Sequence, residues 1–319
     1  MESRTGDRLD ARDLGTRSEI AAGLPRFSIV ILTFARDAVL TELLAGLEPM
    51  LAGRADYELI LVDNNSEASD RRDLLTPFAH TVYLHDGSNK GVIARNDGFD
   101  AARGEIVVLL DDDVFVQTHD FLDRFASLFN GDPQLGAVTI RKHVRGETRR
   151  RVDLIPHTRK DVDLDRPFKT FRFVGGCVGF RKATIREVGG FLPDFFYGLE
   201  EIELSYRIID GGWHILYSPD IRAEELEHPA GRRPKQAVQT DRLANKYIIS
   251  FLRMPFPQIL ANYALFTPYL MFFARGEVSV VGAVSQFARW LGRKDRPRRR
   301  VIGREAIAYI RKCGGAVWR

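Results

Sequence analysis

The sequence predicts an α/β fold, a doubly wound sheet with helices on its faces, on three observations. The run Ile106-Val107-Val108-Leu109-Leu110 holds five apolar residues, three of them β-branched, without alternation, as a strand buried on both faces of a parallel sheet requires. Three carboxylates, Asp111, Asp112 and Asp113, follow at its carboxyl end, where open α/β sheets bind their ligands. Shorter apolar runs upstream alternate with helical patterns at the spacing of βα units.

Residues 27–33 form the first strand, entered through Pro25. A helical pattern through Leu40, Leu43, Leu44 and Leu47 breaks near Pro49, because proline lacks the amide and crowds the turn before it. Residues 57–62 form the second strand and end in Asp63-Asn64-Asn65-Ser66, a run with turn chemistry of its own. Residues 82–84 give a short third strand, and Asn89-Lys90-Gly91 opens a helix toward Ala102. After the aspartates come a helix at 121–129 and a strand at 136–140. Residues 141–170 are polar, arginine-rich and weakly patterned, which reads as a mobile or functional loop; Arg149, Arg150 and Arg151 on it suit an anionic or polar acceptor, or simply a solvated face. Glycines at 175, 176 and 179 mark a close-packed strand or turn, a short helix covers 183–188, and Gly189-Gly190 stops it. Residues 200–210 are helical with Gly211-Gly212 behind them, and 213–217 form the last strand.

From residue 241 the pattern turns helical. The apolar stretch 256–273 contains Pro257 and Pro268 and polar Gln258 and Asn262, so it falls short of a spanning helix. It serves as core, as a homo-oligomer contact, or as a membrane-surface face. The expected division is a disordered leader at 1–24, a catalytic domain at 25–240 and a helical region with a basic tail at 241–319.

The 319 residues are 45% hydrophobic and 28% charged with a formal net charge of +4, ordinary for a globular protein. Basic residues cluster at Arg293, Lys294, Arg296, Arg298, Arg299 and Arg300, but no nucleic-acid signature accompanies them, so no nucleic-acid partner is expected. Cys177 and Cys313 lie far apart and form no Cys-x-x-Cys, which argues against a disulfide scaffold or zinc site. The first 23 residues lack an apolar core, so they are read as neither signal peptide nor anchor, and the setting as cytoplasmic, possibly at the inner face of a membrane. No Gly-x-Gly-x-x-Gly follows a strand, which excludes a dinucleotide dehydrogenase.

If the strand geometry persists, Asp111 and Asp113 point one way and Asp112 the other. A same-side carboxylate pair suits a hard divalent cation that shares a substrate's phosphates, although a solvated acidic turn reads from the same residues. Glu200 and Glu201 open a helix, where the macrodipole favours an anion with or without catalysis. His228 is a metal ligand or a loop histidine.

Taken together, the ordered set Thr33-Phe34-Ala35-Arg36, Val62 to Ser66, Asn89-Lys90-Gly91 with Arg95 to Gly98, Asp111 to Asp113, Val174-Gly175-Gly176, and Gly189-Gly190-Phe191 with Phe196 to Leu204 and Arg207 resembles that of family 2 glycosyltransferases, over residues 26–228. The resemblance implies a GT-A fold, a Rossmann-like mixed sheet flanked by helices, with a C-terminal helical region. It implies a nucleotide-diphosphate sugar donor, a hydroxyl acceptor, inversion of configuration and a Mg2+ or Mn2+ cofactor. Thr33, Arg36, Asp63, Asn89, Arg95, Asp111 and Asp112 would then line the nucleotide, with Asp63 near the base. Asp113, Asp111 and His228 would hold the metal. Glu201 would be the base beside Glu200; the family places Asp there, so the side chain here is one methylene longer. The alternatives are a nucleotidyltransferase on a similar sheet, which would need a glycine-rich loop after the first strand, and a non-catalytic sugar-nucleotide-binding or scaffold protein.

Overall fold

The computed structural model describes residues 24–67, 71–148, 151, 153–159, 161–228 and 233–316; the expected leader at 1–24 falls almost wholly outside them. In chain order the elements are β1 (Phe27–Thr33), α1 (Asp37–Leu51), β2 (Tyr57–Asp63), β3 (Thr81–His85), α2 (Arg95–Ala101), β4 (Ile106–Asp111), β5 (Val114–Val116), α3 (Phe121–Gly131), β6 (Leu135–Val144), β7 (Phe168–Thr170), β8 (Cys177–Arg181), α4 (Lys182–Val188), α5 (Glu200–Asp210), β9 (His214–Glu225), α6 (Lys235–Arg253), α7 (Gln258–Phe273), α8 (Val280–Gly292) and α9 (Arg304–Lys312).

One mixed sheet organises them, in the order β3-β2-β1-β4-β8-β6-β9-β5 with β7 also on β9. The first four strands are parallel, and β8 runs antiparallel between β4 and β6. Val108, Leu109 and Leu110 on β4 are buried, as a run without alternation requires. One core, on the α1 and α3 side, includes Ile29, Leu40, Val108 and Phe125; the other includes Val30, Phe180, Leu204 and Ile249.

Three expectations change. α1 continues through Pro49 to Leu51, because buried Leu47 and Leu51 extend its apolar stripe past the one hydrogen bond that proline removes. β6 extends to Val144, and β9 to Glu225 rather than stopping at Tyr217. A register shift between Ile140 and Arg141 lets the two strands resume pairing, Arg141 with Arg222 and Val144 with Glu225; such a shift bends the pair and increases its twist. The stretch 141–170 is therefore strand at both ends, in β6 and β7. The division expected at 240/241 falls inside α6, whose Ile248, Ile249 and Leu252 share a core with Trp290, Ile302, Ala306 and Ile310.

Among the described residues no helix is long and apolar enough to cross a membrane.

Candidate active site

β4 ends at Asp111, and the chain turns before β5 begins at Val114. Asp112 and Asp113 therefore lie in the turn that follows the strand. Asp112 is tied to the end of β1: its Oδ2 accepts from Thr33 Oγ1 at 2.9 Å and from the Phe34 amide at 3.2 Å. The guanidinium of Arg36 pairs with Asp113 and, at 3.0 Å, with Asp112. Asp111 instead accepts from Arg95 Nη2 at 2.6 Å. Arg95, itself buried, reaches Glu200 Oε1 at 3.6 Å, so one cation links the end of β4 to the start of α5.

The electrostatics follow from this division. Burial works to raise Asp111, but Arg95, with Lys142 and Arg36, outweighs it and holds the carboxyl below its usual range. Burial pushes Asp112 up to about 6 against the opposing pull of Arg36. Burial and the charge of Asp111 push Asp113 up to about 7. Burial, then the charge of Glu201, drives Glu200 well above the carboxylate range, and its Oε2 has no hydrogen-bond partner. Burial makes the charged forms of Asp112, Asp113 and Glu200 costly, a cost that a divalent cation bound among them would offset.

Glu201 and the Gly175-Gly176 turn fit each other. A Cβ at residue 175 would lie 2.6 Å from Glu201 Oε1. Gly176 has φ +97°, and a Cβ there would lie 2.6 Å from Lys142 Nζ. Lys142 was not anticipated. Its Nζ donates to the Gly175 carbonyl at 2.9 Å and pairs with Glu225 at 2.8 Å. The signal that could have found it is the period-two pattern of β6 continuing past Ile140.

The remaining expected residues shape loops. Thr33 is fully buried beneath Asp112. Asp63 Oδ1 accepts from the Asn65 amide and side chain at 3.0 and 2.6 Å, and Oδ2 from Arg71 at 2.8 Å and Tyr83 at 2.7 Å. Burial opposes its charge, but these bonds outweigh burial and lower its pKa. Both oxygens thus face protein donors; the Asn65 amide is the one that the turn chemistry of residues 63–66 signalled, and Arg71 and Tyr83 had no sequence signal. Asn89 Oδ1 accepts from Asn64 Nδ2 at 3.0 Å and from the Gly91 amide at 2.9 Å, fixing the loop before α2. The Leu226 amide donates to the Asp113 carbonyl at 2.8 Å, which brings the His228 loop beside the aspartates. Among the described residues, however, no three His, Cys, Asp or Glu side chains form a group able to hold a metal, so Asp111, Asp113 and His228 are not a ready-made ligand set. Arg149 and Arg150 lie outside the described residues. Arg151 pairs with Asp153 at 3.0 Å and with Glu147 and Glu227 at 3.3 Å, so its charge is answered within the chain.

The glycosyl transferase family 2 model matches residues 28–189, just over half of the chain. The chain belongs to this family. An uncharacterized protein of Haemophilus influenzae is 26% identical to this family 2 chain over 171 residues, 51% of this chain and 90% of that protein. The mannosyltransferase PcManGT of Pyrobaculum calidifontis, solved with GDP-Man and Mn2+, matches with a TM-score of 0.55 at 19% identity, over 91% of this chain and 80% of that one. GalNAc-T7, solved with UDP, GalNAc and Mn2+, matches at 0.60 and 17% identity over 84% of this chain and 58% of that one. TarS 1-349 of S. aureus, in complex with UDP-GlcNAc, matches at 0.55 and 16% identity over 75% of this chain and 71% of that one. At these identities the likeness is one of fold, the GT-A fold of glycosyltransferases.

Proposed function

We propose that this family 2 glycosyltransferase moves a sugar from a nucleotide-diphosphate donor to an acceptor hydroxyl with inversion, Glu201 acting as general base. The observation that carries this is the link through Arg95 between Asp111 and Glu200, which sets the acidic turn after β4 next to the carboxylates opening α5. Asp113 and Asp111 would hold a Mg2+ or Mn2+ ion, with His228 brought in by its loop. When bound, the metal supplies charge neutralisation for the leaving diphosphate. Glu201 takes the proton from the acceptor hydroxyl as its oxygen attacks the anomeric carbon opposite the leaving group. Arg36 and Arg95 are the cations placed to face the phosphates, and Asp112, locked by Thr33, orients Arg36. One displacement inverts the configuration. Structural relatives solved with GDP-Man, UDP-GlcNAc and Mn2+ support this donor class.

A thermal-shift panel of UDP, dTDP and GDP, each with and without Mn2+ or Mg2+, tests the reading, because a ligand that binds only the native state raises its apparent stability. One nucleotide should stabilise the protein, more with metal, and Asp113→Ala should remove the metal increment. A flat response to every combination would overturn the reading.

We also infer that α7 lies on an anionic membrane surface. Its sequence carries no charge, yet Leu260, Leu265, Tyr269, Met271, Phe272 and Phe273 are exposed, Phe272 by 85%. Soluble proteins seldom expose this many large apolar side chains on one helix. Exposed Arg275 follows α7. Before it, Arg299 donates to the Met254 carbonyl at 2.8 Å, two residues from exposed Phe256. Arginines flanking an apolar face complement anionic lipid, whereas a second copy would bring like charges together. Phe272→Asp with Phe273→Asp should abolish co-sedimentation with phosphatidylglycerol vesicles. Equal sedimentation, or a monomer–dimer shift instead, would reassign the face.

A further inference from the structure

Near the start of α5, Arg172 and Arg242 make no ion pair with a carboxylate among the described residues. Arg172 lies between β7 and β8. The next residue, Phe173, donates its amide to Ser205 Oγ on α5 at 3.2 Å, and that hydroxyl donates to the Glu201 carbonyl at 2.5 Å. Arg242 comes from α6, which is fastened to the start of α5 by Asn245 Nδ2 donating to the Tyr197 and Gly198 carbonyls at 3.1 and 2.7 Å. The Arg242 stem crosses directly over Gly198, where a Cβ would lie 2.7 Å from its Cγ. Gly198 has φ +94° and sits three residues before Glu201. The two arginines thus approach the start of α5, where the proposed base lies, from two different elements.

Their charges act on each other. Burial lowers the Arg172 pKa and the neighbouring charge of Arg242 lowers it further, while Glu201 and Asp153 favour its charge. Yet the side-chain bond of Arg172 among the described residues goes to a neutral group, the Ile155 carbonyl at 2.7 Å, and its buried Nε has no partner. Asp153 is committed to Arg151. Arg242 makes no ion pair among the described residues. Like charges held together with no carboxylate bonded directly to either among the described residues favour an incoming anion, and guanidinium forks match phosphate and carboxylate best.

We infer that Arg172 and Arg242 form the anion-recognising side of the acceptor site, so that the acceptor bears a phosphate or carboxylate close to its reacting hydroxyl. This rests on reading Glu201 as the base, because the anion then sits near that carboxylate, where the acceptor hydroxyl must come. It replaces Arg149 to Arg151 as the source of acceptor charge recognition. The residues come from the β7–β8 connection and from α6, so acceptor selection is shared between the sheet domain and the C-terminal helices.

The test is calorimetric titration of the full chain, held in saturating Mg2+ with UDP or GDP, with glycerol 3-phosphate and, separately, glycerol. Glycerol 3-phosphate should bind and glycerol should not. Arg172→Gln and Arg242→Gln should each weaken glycerol 3-phosphate by about tenfold or more, as expected for a lost charge-assisted contact, with nucleotide affinity unchanged. Among the described residues the Arg242 side chain has no hydrogen bond to lose, so Arg242→Gln remains decisive if Arg172→Gln fails to fold. No binding of glycerol 3-phosphate to the wild type, equal binding to the Arg242 variant, or loss of nucleotide binding instead would each overturn the inference, the last by assigning the arginines to the donor. If no nucleotide binds the wild type, the transferase reading fails, and the phosphate titration of the free protein still decides whether the anion site exists.

Discussion

Glu201, at the start of α5, and Lys246, on α6, are ionisable groups with different work to do. If Glu201 removes the acceptor proton, Glu201→Gln should lower kcat by about 10²–10⁴-fold, the usual weight of general-base assistance, with donor binding nearly unchanged. Steady-state rates and NMR of the product linkage check this; retention of configuration would refute it. Lys246, on α6, is buried with its ammonium 5.2 Å from the Phe266 ring centroid, and burial pushes it down to about 8 from 10.5. Between those two pH values the unfolded chain holds the extra proton, so stability rises with pH across that window, by up to roughly 2–3 kcal/mol. The stability of Lys246→Met relative to wild type should therefore fall between pH 8 and 10, as chemical denaturation at several pH values would show. Little of this is legible in the sequence. Glu201 and the aspartates stand out by motif, but the 77-residue separation of Arg36 from Asp113 and the burial of Lys246 are products of tertiary packing.

α5 carries a buried ionic knot. Glu203, fully enclosed, pairs with Arg207 on the next turn and with Arg253 at the end of α6, both at 2.7 Å. Arg207 also donates to the Val188, Gly189 and Gly190 carbonyls at 2.6, 3.0 and 2.5 Å. The knot thereby joins α4, α5 and α6. Removing one member strands opposite charges in the interior, at a cost of about 3–5 kcal/mol. Glu203→Ala should lose about that much in urea unfolding, and Arg300→Ala, whose side chain is 78% exposed, almost nothing. The bounds of α5 were legible because Gly198 and Gly211 punctuate a clear helical period. The second half of β9 was not, because residues 218–225 are largely polar and are strand only through pairing with β5 and β6.

The C-terminal helices belong to the molecule's main core. Trp290, Ile302 and Ile310 pack with Ile208 and Ile249, and Gly303 donates its amide to Asp210 at 2.7 Å. Truncation after Ala274 should therefore lower thermal stability sharply in the absence of any membrane, as a melting curve would show, so point substitutions on α7 are the cleaner probe of vesicle binding. The helical character of this region was legible from its period. Its union with the catalytic core was not, because the partners of Trp290 and Ile310 lie far back in the chain.

The ion pairs of Arg36 with Asp112 and Asp113 have a thermodynamic consequence for the enzyme's cycle. If Asp113 holds the metal as proposed, a divalent cation arriving there exchanges with Arg36, its internal counterion. Exchange costs a guanidinium its partner unless a phosphate takes that partner's place. Metal alone should then bind weakly and nucleotide alone weakly, while the two together bind more tightly than the product of their separate affinities. That coupling is reciprocal by linkage, and it makes the metal–nucleotide complex, more than either component, the species the protein selects.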